Sequence, residues 1–207
     1  IALGLSVGFR ANIWNIGAEG QFIIGALISA SIGLAFYPLE NRLIFPLMIF
    51  GGFIGGALWA LIPAILKSKF NTNEILVSLM LVYIAEQALA SASIGVLRNP
   101  DGSGFPGSRN LNQYTSASNP ELISGSGIHW GVIFSFLSIL FFHYLLKNHK
   151  FGFQIKLFGD APKAASFAGI KSNYIILACF AVSGALAGVA GMFELTGPAG
   201  AITIDFN

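Results

Sequence analysis

The sequence predicts an all-α fold, a polytopic transmembrane helical bundle with five full spans and part of a sixth, and three observations lead to it. Of the 207 residues, 55% are hydrophobic and 10% are charged, against roughly 25% charged in a soluble domain. Five apolar stretches reach or approach the roughly 20 residues that cross a hydrocarbon core of about 30 Å. The charged residues lie in short clusters between these stretches, as they do in chains whose helices face lipid.

The predicted spans alternate with five loops. The spans cover residues 18–37, 43–66, 75–97, 128–146 and 174–195, and residues 1–8 look like the end of a preceding helix. The loops are residues 9–17, 38–42, 67–74, 98–127 and 147–173. Neither end of the chain has a charged leader or a basic stop-transfer cluster, so we expect 1–207 to be a fragment truncated at both ends.

The cations predict which side of the membrane each loop occupies. The first, third and fifth loops share one side and hold eight cations: Arg10, Lys67, Lys69, Lys147, Lys150, Lys156, Lys163 and Lys171. The second and fourth loops hold three: Arg42, Arg98 and Arg109. Because positive charge is retained inside, loop 147–173 is predicted to be cytoplasmic and loop 98–127 extracytoplasmic and irregular. The net charge of +2 gives no sign of nucleic-acid binding.

Small residues at four-residue spacing predict close helix packing. They are Gly25, Ser29 and Gly33 in the first full span; Gly51, Gly52, Gly55 and Gly56 in the second; and Ser183, Gly184, Ala187, Gly188 and Gly191 in the last. Such faces let helix backbones approach in lipid, where no hydrophobic effect drives association. They indicate a compact bundle, without choosing between a transporter, a channel and a membrane enzyme.

A polar, glycine-bearing stretch, NIWNIGAEGQ at residues 12–21, runs directly into the first full span. Asn15 is suited to cap the helix, and Glu19 falls in its first turn, where the helix dipole favours an anion. That interpretation leaves Gln21, Gly17 and Gly20 unexplained. Irregular backbone lining a cavity would explain them, so Asn15, Glu19 and Gln21 become candidates for a solute path.

Glu86 lies near the middle of the third full span, beside Gln87. An acid at the bilayer centre costs about 2.5 to 3.5 kcal/mol on insertion scales. We therefore expect Glu86, like Glu19, to face the bundle interior rather than lipid. Two interpretations remain open, a place in a solute path and a structural hydrogen bond between helices.

The predicted cytoplasmic loop contains FGDAPKAASFAGI at residues 158–170. Asp160 is suited to be an N-cap and Pro162 to be in an opening turn. Ala164 and Ala165 favour a helix, and Gly169 is suited to end it. The short helix is either an interfacial connector or an element on which another protein docks.

Several kinds of chemistry leave no trace in the sequence. There is no GxxxxGK[ST] phosphate loop, and HExxH, CxxC and GxSxG are absent too. The three histidines (His129, His143 and His149) are scattered near span ends, and the single cysteine, Cys179, lies in an apolar run. We therefore expect no metal site, no cofactor and no enzymatic activity in this chain.

Three motifs in order carry a resemblance to a known family. They are NIGAEGQ at 15–21 followed by Gly25-Ala26; Leu66-Lys67 with Asn73-Glu74-Ile75 and Met80-Leu81; and residues 159–170 followed by SGALAG at 183–188. In this combination the chain resembles the permease subunits of bacterial ABC importers of the branched-chain amino-acid and ribose permease superfamily. Within it, the chain looks like the branch that works with BMP-type lipoproteins and imports nucleosides or simple sugars. The likeness spans nearly the whole chain.

The resemblance implies a multi-pass protein of the bacterial cytoplasmic (inner) membrane. Two permease subunits would line the path, two separate ATPase subunits would bind ATP beneath them, and an extracytoplasmic lipoprotein would deliver the solute. It also implies that the short helix is the ATPase-coupling element. The coupling residues would be Gly159, Asp160, Pro162, Ala164, Ala165 and Gly169.

The chain departs from the family pattern at three places. Val82 stands before Tyr83 where the family has Asn, which weakens a substrate role at that position. Ala161-Pro162 replaces Asn-Pro, and Ser166-Phe167 replaces Arg-Tyr. These two changes keep the helix-forming pattern, so the docking role is less affected.

Two other classes of function remain open on sequence grounds. An ion-coupled secondary transporter often has discontinuous helices and intramembrane acids, and Glu86 and the 12–21 stretch fit that description. A membrane scaffold subunit without any path is the other. ATP-dependent uptake that survives an ionophore would exclude the first, and substrate-dependent cysteine labelling would exclude the second.

Overall fold

The computed structural model describes residues 1–102, 105–123, 126–204 and 206. Its helices are α1 (Ala2–Arg10), α2 (Ala18–Ala35), α3 (Ile44–Phe70), α4 (Glu74–Ile94), α5 (Trp130–Asn148), α6 (Lys150–Asp160), α7 (Pro162–Phe167) and α8 (Ser172–Glu194). A 3₁₀ turn covers Leu111–Gln113, and a π-helical turn, Leu195–Ala199, extends α8. Helices α2, α3, α4, α5 and extended α8 are long and apolar enough to cross a membrane. The predicted all-α bundle with five spans is confirmed.

The turn between α3 and α4 shows how local chemistry sets helix ends. Helix α3 runs past the predicted end at residue 66, because residues 67–70 include no Pro or Gly and the next residue, Asn71, takes a left-handed conformation (φ 52°). The side chain of Asn73 then caps α4 by accepting hydrogen bonds from the backbone N–H groups of Ile75 and Leu76. An ion pair between Lys67 and Glu74 joins the two helices.

The core of the bundle is a close packing of α2, α3 and α8 through glycine. A Cβ atom at Gly25 would overlap the backbone of Gly188, and one at Gly56 would overlap the carbonyl oxygen of Gly184. Ser29 is fully buried in this contact and donates a hydrogen bond to the Met48 carbonyl oxygen. The small-residue faces therefore pack as the sequence predicts.

The connecting segments gather at the two opposite ends of the bundle. At one end, the backbone around Gly159 packs on the carbonyl of Arg10, and Gly17 packs on Ser78 at the start of α4. At the other end, the Ser108 N–H donates to the Ile202 carbonyl at 2.9 Å. This alternation agrees with the predicted order of loops, while the assignment of one end to the cytoplasm stays a prediction.

The segment 98–127, expected to be irregular, contains one 3₁₀ turn but is anchored in the bundle. Its residues Leu111, Tyr114 and Ala117 are buried in the main apolar core. The backbone N–H of Leu111 donates to the Gly200 carbonyl at 2.7 Å. Part of the prediction for this loop falls on Ser103, Gly104, Ser124 and Gly125, which lie outside the described residues.

Candidate functional site

The amides of Asn15 and Gln21 form a buried reciprocal pair. The Asn15 Nδ2 group donates to Gln21 Oε1 at 2.8 Å, and the Gln21 Nε2 group donates to Asn15 Oδ1 at 2.9 Å. Asn15 Nδ2 also donates to Ser183 Oγ on α8 at 3.0 Å. The two amide–amide bonds hold Asn15 against α2, and the bond to Ser183 attaches the segment before α2 to α8. Their place in a solute path stays a prediction.

Two expectations for the 12–21 stretch need correction. Asn15 does not cap α2, because the N-cap is Gly17, and the Asn15 side chain accepts from the Gly17 N–H at 3.2 Å. Glu19 does lie in the first turn of α2. It does not face the interior of this chain's bundle, however, since Ala18 and Gly20 take the buried side of that turn and leave Glu19 exposed.

The glycine at position 20 has a packing explanation. A Cβ atom there would come within 3.1 Å of Val82 Cα and 3.2 Å of the Leu81 carbonyl oxygen. Gly20 therefore allows α2 and α4 to approach. Val82, where the family has Asn, is 5% exposed and points toward this contact. The position where Val82 replaces the family's Asn therefore lies on the inner face of α4, away from its exposed side.

The outward face of α4 is the set of residues that α2 and α3 leave uncovered. Tyr83 is 60% exposed and Met80 is 66% exposed. Gln87 and Ser91 are exposed as well, and Glu86 is half-buried at the edge of this face. Among the described residues, the side chains of Tyr83, Glu86 and Gln87 have no hydrogen-bond partner. Glu86 is thus a path candidate at the edge of a polar patch, and the sequence reasoning missed Tyr83 and treated Gln87 only as a neighbour.

The short helix predicted over residues 159–170 is two helices with a break at Ala161. Asp160 is not the N-cap: it is the last residue of α6, and the cap of α7 is Ala161, which makes no side-chain cap bond. The physical reason is that α6 continues through Gly159 while packed on α1, and Pro162 then starts a new helix. Gly169, with φ at 78°, lies at the end of α7 as expected.

The exposed surface of α7 differs from the alanine surface that the sequence suggested. Ala165 is fully buried, so it holds α7 to the rest of the fold, whereas Ala164 is exposed. The largest exposed side chain is Phe167, at 94%. An apolar ring left this bare at the end of a helix is a feature that sequence reasoning missed, since Phe167 was noted only as a replacement for Tyr. Whether the six coupling residues contact an ATPase stays a prediction.

Within the described residues, no group of three or more His, Cys, Asp or Glu side chains is placed to hold a metal ion. The free thiol of Cys179 is buried inside α8. The arrangement offers hydrogen-bonding groups on a membrane-spanning surface and a protruding helix, which are the elements of binding and docking.

Comparisons with known proteins agree with this geometry. The family described as branched-chain amino acid transport system, permease component, matches residues 1–206. The glucose ABC transporter permease protein TsgB13 of Haloferax volcanii is 29% identical over 100% of this chain and 56% of its own length. The guanosine ABC transporter permease protein NupP of Bacillus subtilis is 30% identical over 93% of this chain and 55% of its own length.

A further relative is the nucleoside ABC transporter permease protein NupB of Lactococcus lactis, 27% identical over 92% of this chain and 54% of its own length. The chain thus spans about half the length of the curated relatives it matches. No solved structure gives a significant match. Since the family match covers almost every residue, the chain belongs to the permease components of the branched-chain amino acid transport system family.

Proposed function

We propose that this chain is the core of a permease subunit of an ATP-driven importer in the bacterial inner membrane, which carries a nucleoside or a simple sugar. The observation that carries the proposal is α7, a short helix that protrudes from the bundle and presents Phe167 with 94% of its surface exposed. The chain has no phosphate-binding loop, so an exposed apolar docking element suits a protein that takes its energy from another subunit. The relatives support the same conclusion, because their names describe ABC transporter permeases for glucose, guanosine and nucleosides.

In this proposal, α7 inserts into a cleft of the ATPase and transmits its movement to the bundle. Ala165 is buried and ties α7 to the fold, whereas Ala164 and Phe167 face outward. The backbone of Gly159 packs on the end of α1, so a displacement of α7 would reach the transmembrane helices through α6. A second permease subunit would complete the path, and a substrate-binding lipoprotein would deliver the solute at the end that holds segment 98–127.

The test uses the full-length protein expressed with its ATPase subunit. Phe167→Asp and Ala164→Glu change only exposed positions, so we expect normal membrane abundance and a loss of at least about ten-fold in ATPase co-purification, as is typical when an interface anchor is removed. Phe136→Ala is the matched control, because Phe136 is also largely exposed (65%) but lies on α5. It should leave co-purification unchanged.

Two results would contradict the proposal. If the ATPase binds the α7 variants as well as the parent protein, α7 is only a connector. If uptake of radiolabelled guanosine or glucose into vesicles does not need ATP and stops with an ionophore, the protein is an ion-coupled secondary transporter. Glu86 would then be the natural residue to examine for ion coupling, because it is an acid in the middle of a span.

A further inference from the structure

Helix α6 lies at one end of the bundle, where membrane-crossing helices end. Only His149 separates α6 from α5, which is long and apolar enough to cross a membrane. A Cβ atom at Gly152 would overlap the carbonyl oxygen of Leu146 in the last turn of α5, and one at Gly159 would overlap the carbonyl oxygen of Arg10 at the end of α1. Since both contacts are with helix ends, α6 lies along the membrane surface instead of crossing it.

A contact with α8 places α6 at the same depth. The ring of Phe151 packs edge-on against the ring of Tyr174, with the ring centroids 6.4 Å apart. Tyr174 lies in the first turn of α8, another helix able to cross a membrane, and is exposed. Tyrosine is common where a span meets the membrane–water interface. The start of α6 is therefore level with the end of one span and the start of another.

Helix α6 is amphipathic, with one face packed on the bundle and the other uncovered. Gly152 and Ile155 are buried on the packed face. The uncovered face presents Lys150, Phe153 and Lys156, and the Phe153 ring is 66% exposed. These three residues are spaced three apart and are neighbours on the helix surface. The face therefore consists of a bare aromatic ring with one lysine a turn before it and one a turn after it.

The charge around this face is mainly positive. Segment 147–160 contains three lysines, because Lys147 at the end of α5 is exposed beside Lys150 and Lys156, and its one acid is Asp160 at the far end of α6. Among the described residues, none of these four groups has an ion-pair partner. The lysines are thus available to an anion outside the chain.

We infer that the uncovered face of α6 binds an anionic phospholipid, with the lysines on the phosphate headgroup and Phe153 among the acyl chains. The inference does not depend on which solute the protein carries or on what drives transport.

The chemistry of the face matches that of the membrane surface at this depth. Helices that lie in the interface combine basic residues, which attract anionic lipids, with large apolar residues that enter the acyl boundary. Lysine has a long flexible stem, so its ammonium group can reach a phosphate while the stem stays along apolar surface. A Phe153 ring in the acyl region is removed from water, which the bundle itself does not achieve for it.

The experiment uses the full-length permease with its ATPase, reconstituted in vesicles of phosphatidylcholine and phosphatidylglycerol in equal amounts. After gentle extraction, native mass spectrometry counts the phosphatidylglycerol molecules that stay bound. Because each lysine near an anionic surface contributes about a factor of five in affinity, Lys156→Gln should lower retention about five-fold, and Lys150→Gln/Lys156→Gln by about ten-fold or more. Lys150→Arg/Lys156→Arg keeps both charges and should retain the lipid.

The matched control is Lys163→Gln, which removes an exposed lysine from the same loop but on α7. It should leave phosphatidylglycerol retention at the parent level. A spin label gives a second, independent readout of depth. Attached at Phe153→Cys in a cysteine-free background, it should be reached by oxygen, which dissolves in lipid, more than by a water-soluble nickel complex. At Thr115→Cys, an exposed position in segment 98–127, the preference should be reversed.

Three results would overturn the inference. Equal retention of phosphatidylglycerol in Lys150→Gln/Lys156→Gln and the parent would show that these lysines do not hold a headgroup. A label at position 153 that only the nickel complex reaches would place this face in water. Loss of the ATPase from the double variant with unchanged lipid retention would make α6 a contact with that subunit. Failure of the α7 variants alone would contradict the proposed function and leave this inference standing.

Discussion

Helices α4 and α5 are the two spans that this chain leaves most exposed, and their exposed faces have opposite chemistry. On α5 the exposed residues between positions 136 and 141 are all Phe, Leu or Ile, and the exposed polar side chains Ser135, His143 and Tyr144 lie on either side of this stretch. On α4 the ends of the exposed face are apolar, with Leu76 and Ile94, while its centre presents Tyr83 and Gln87. Exposure alone therefore does not mean contact with lipid. The polarity of the exposed residues at mid-span separates a lipid-facing helix from one that faces water, a solute or another part of the protein.

The largest expected difference between the two faces is in membrane abundance after a lysine is introduced at mid-span. Leu137→Lys, at the middle of α5, should lower membrane abundance severalfold, because a lysine facing hydrocarbon costs about 2.5 to 3.5 kcal/mol. Gln87→Lys at the middle of α4 should insert at nearly the parent level, since water can solvate the ammonium group there. Quantitative immunoblots of membrane fractions measure both. If the two substitutions reduce abundance equally, α4 also faces lipid and the comparison fails.

A smaller but more direct difference concerns access of water. Met80→Cys and Leu140→Cys replace residues of almost equal exposure, 66% and 67%. In a Cys179→Ala background, the α4 thiol should react with a charged thiol reagent at least about ten times faster, because the reactive thiolate does not form in hydrocarbon. Mass spectrometry of labelled protein measures the rates. Equal rates at the two sites would contradict a water-filled path beside α4.

The last two substitutions should have the smallest effect on activity. They test the direction in which α4 and α5 cross the membrane. Thr115→Cys in segment 98–127 and Asn173→Cys after α7 both lie at exposed positions, so each should retain the parent's uptake. With Cys179→Ala, an impermeant reagent should label position 115 from outside and position 173 from inside. The opposite pattern would reverse the orientation of both helices and place α7 outside, where no ATPase can reach it.

Much of the fold was accessible from sequence because it depends on local properties. The five spans follow from length and hydropathy, and all five occur as helices. The glycine faces of α2, α3 and α8 were predictable from sequence, because a residue without a side chain lets two helix backbones approach closely. The helix end at Gly169 follows from a residue that tolerates a left-handed backbone, whereas the end of α3 was predicted four residues too early.

The errors occur where one local interpretation competed with another. Asp160 is a good N-cap by type, but α6 continues through it because its backbone packs on α1. Asn15 is likewise suited to a cap, yet its amide pairs with Gln21 and with Ser183, which is 168 residues away in the chain. The same residue type, such as Asn, can cap a helix or hydrogen-bond to a distant helix. Only the packed bundle shows which of the two roles it has.

By itself, the sequence determined that this protein is a membrane-spanning helical bundle, where its spans lie, and that small residues bring three of them together. The tertiary structure decided which residues face outward. Apolar residues lie on all sides of α4, so no periodic pattern orients it, and its outward face is defined only by the helices that cover the other side. The same holds for α7, where Ala164 and Ala165 are identical in type and opposite in burial. Hydropathy is a property of single residues, whereas burial depends on what the rest of the chain places against them.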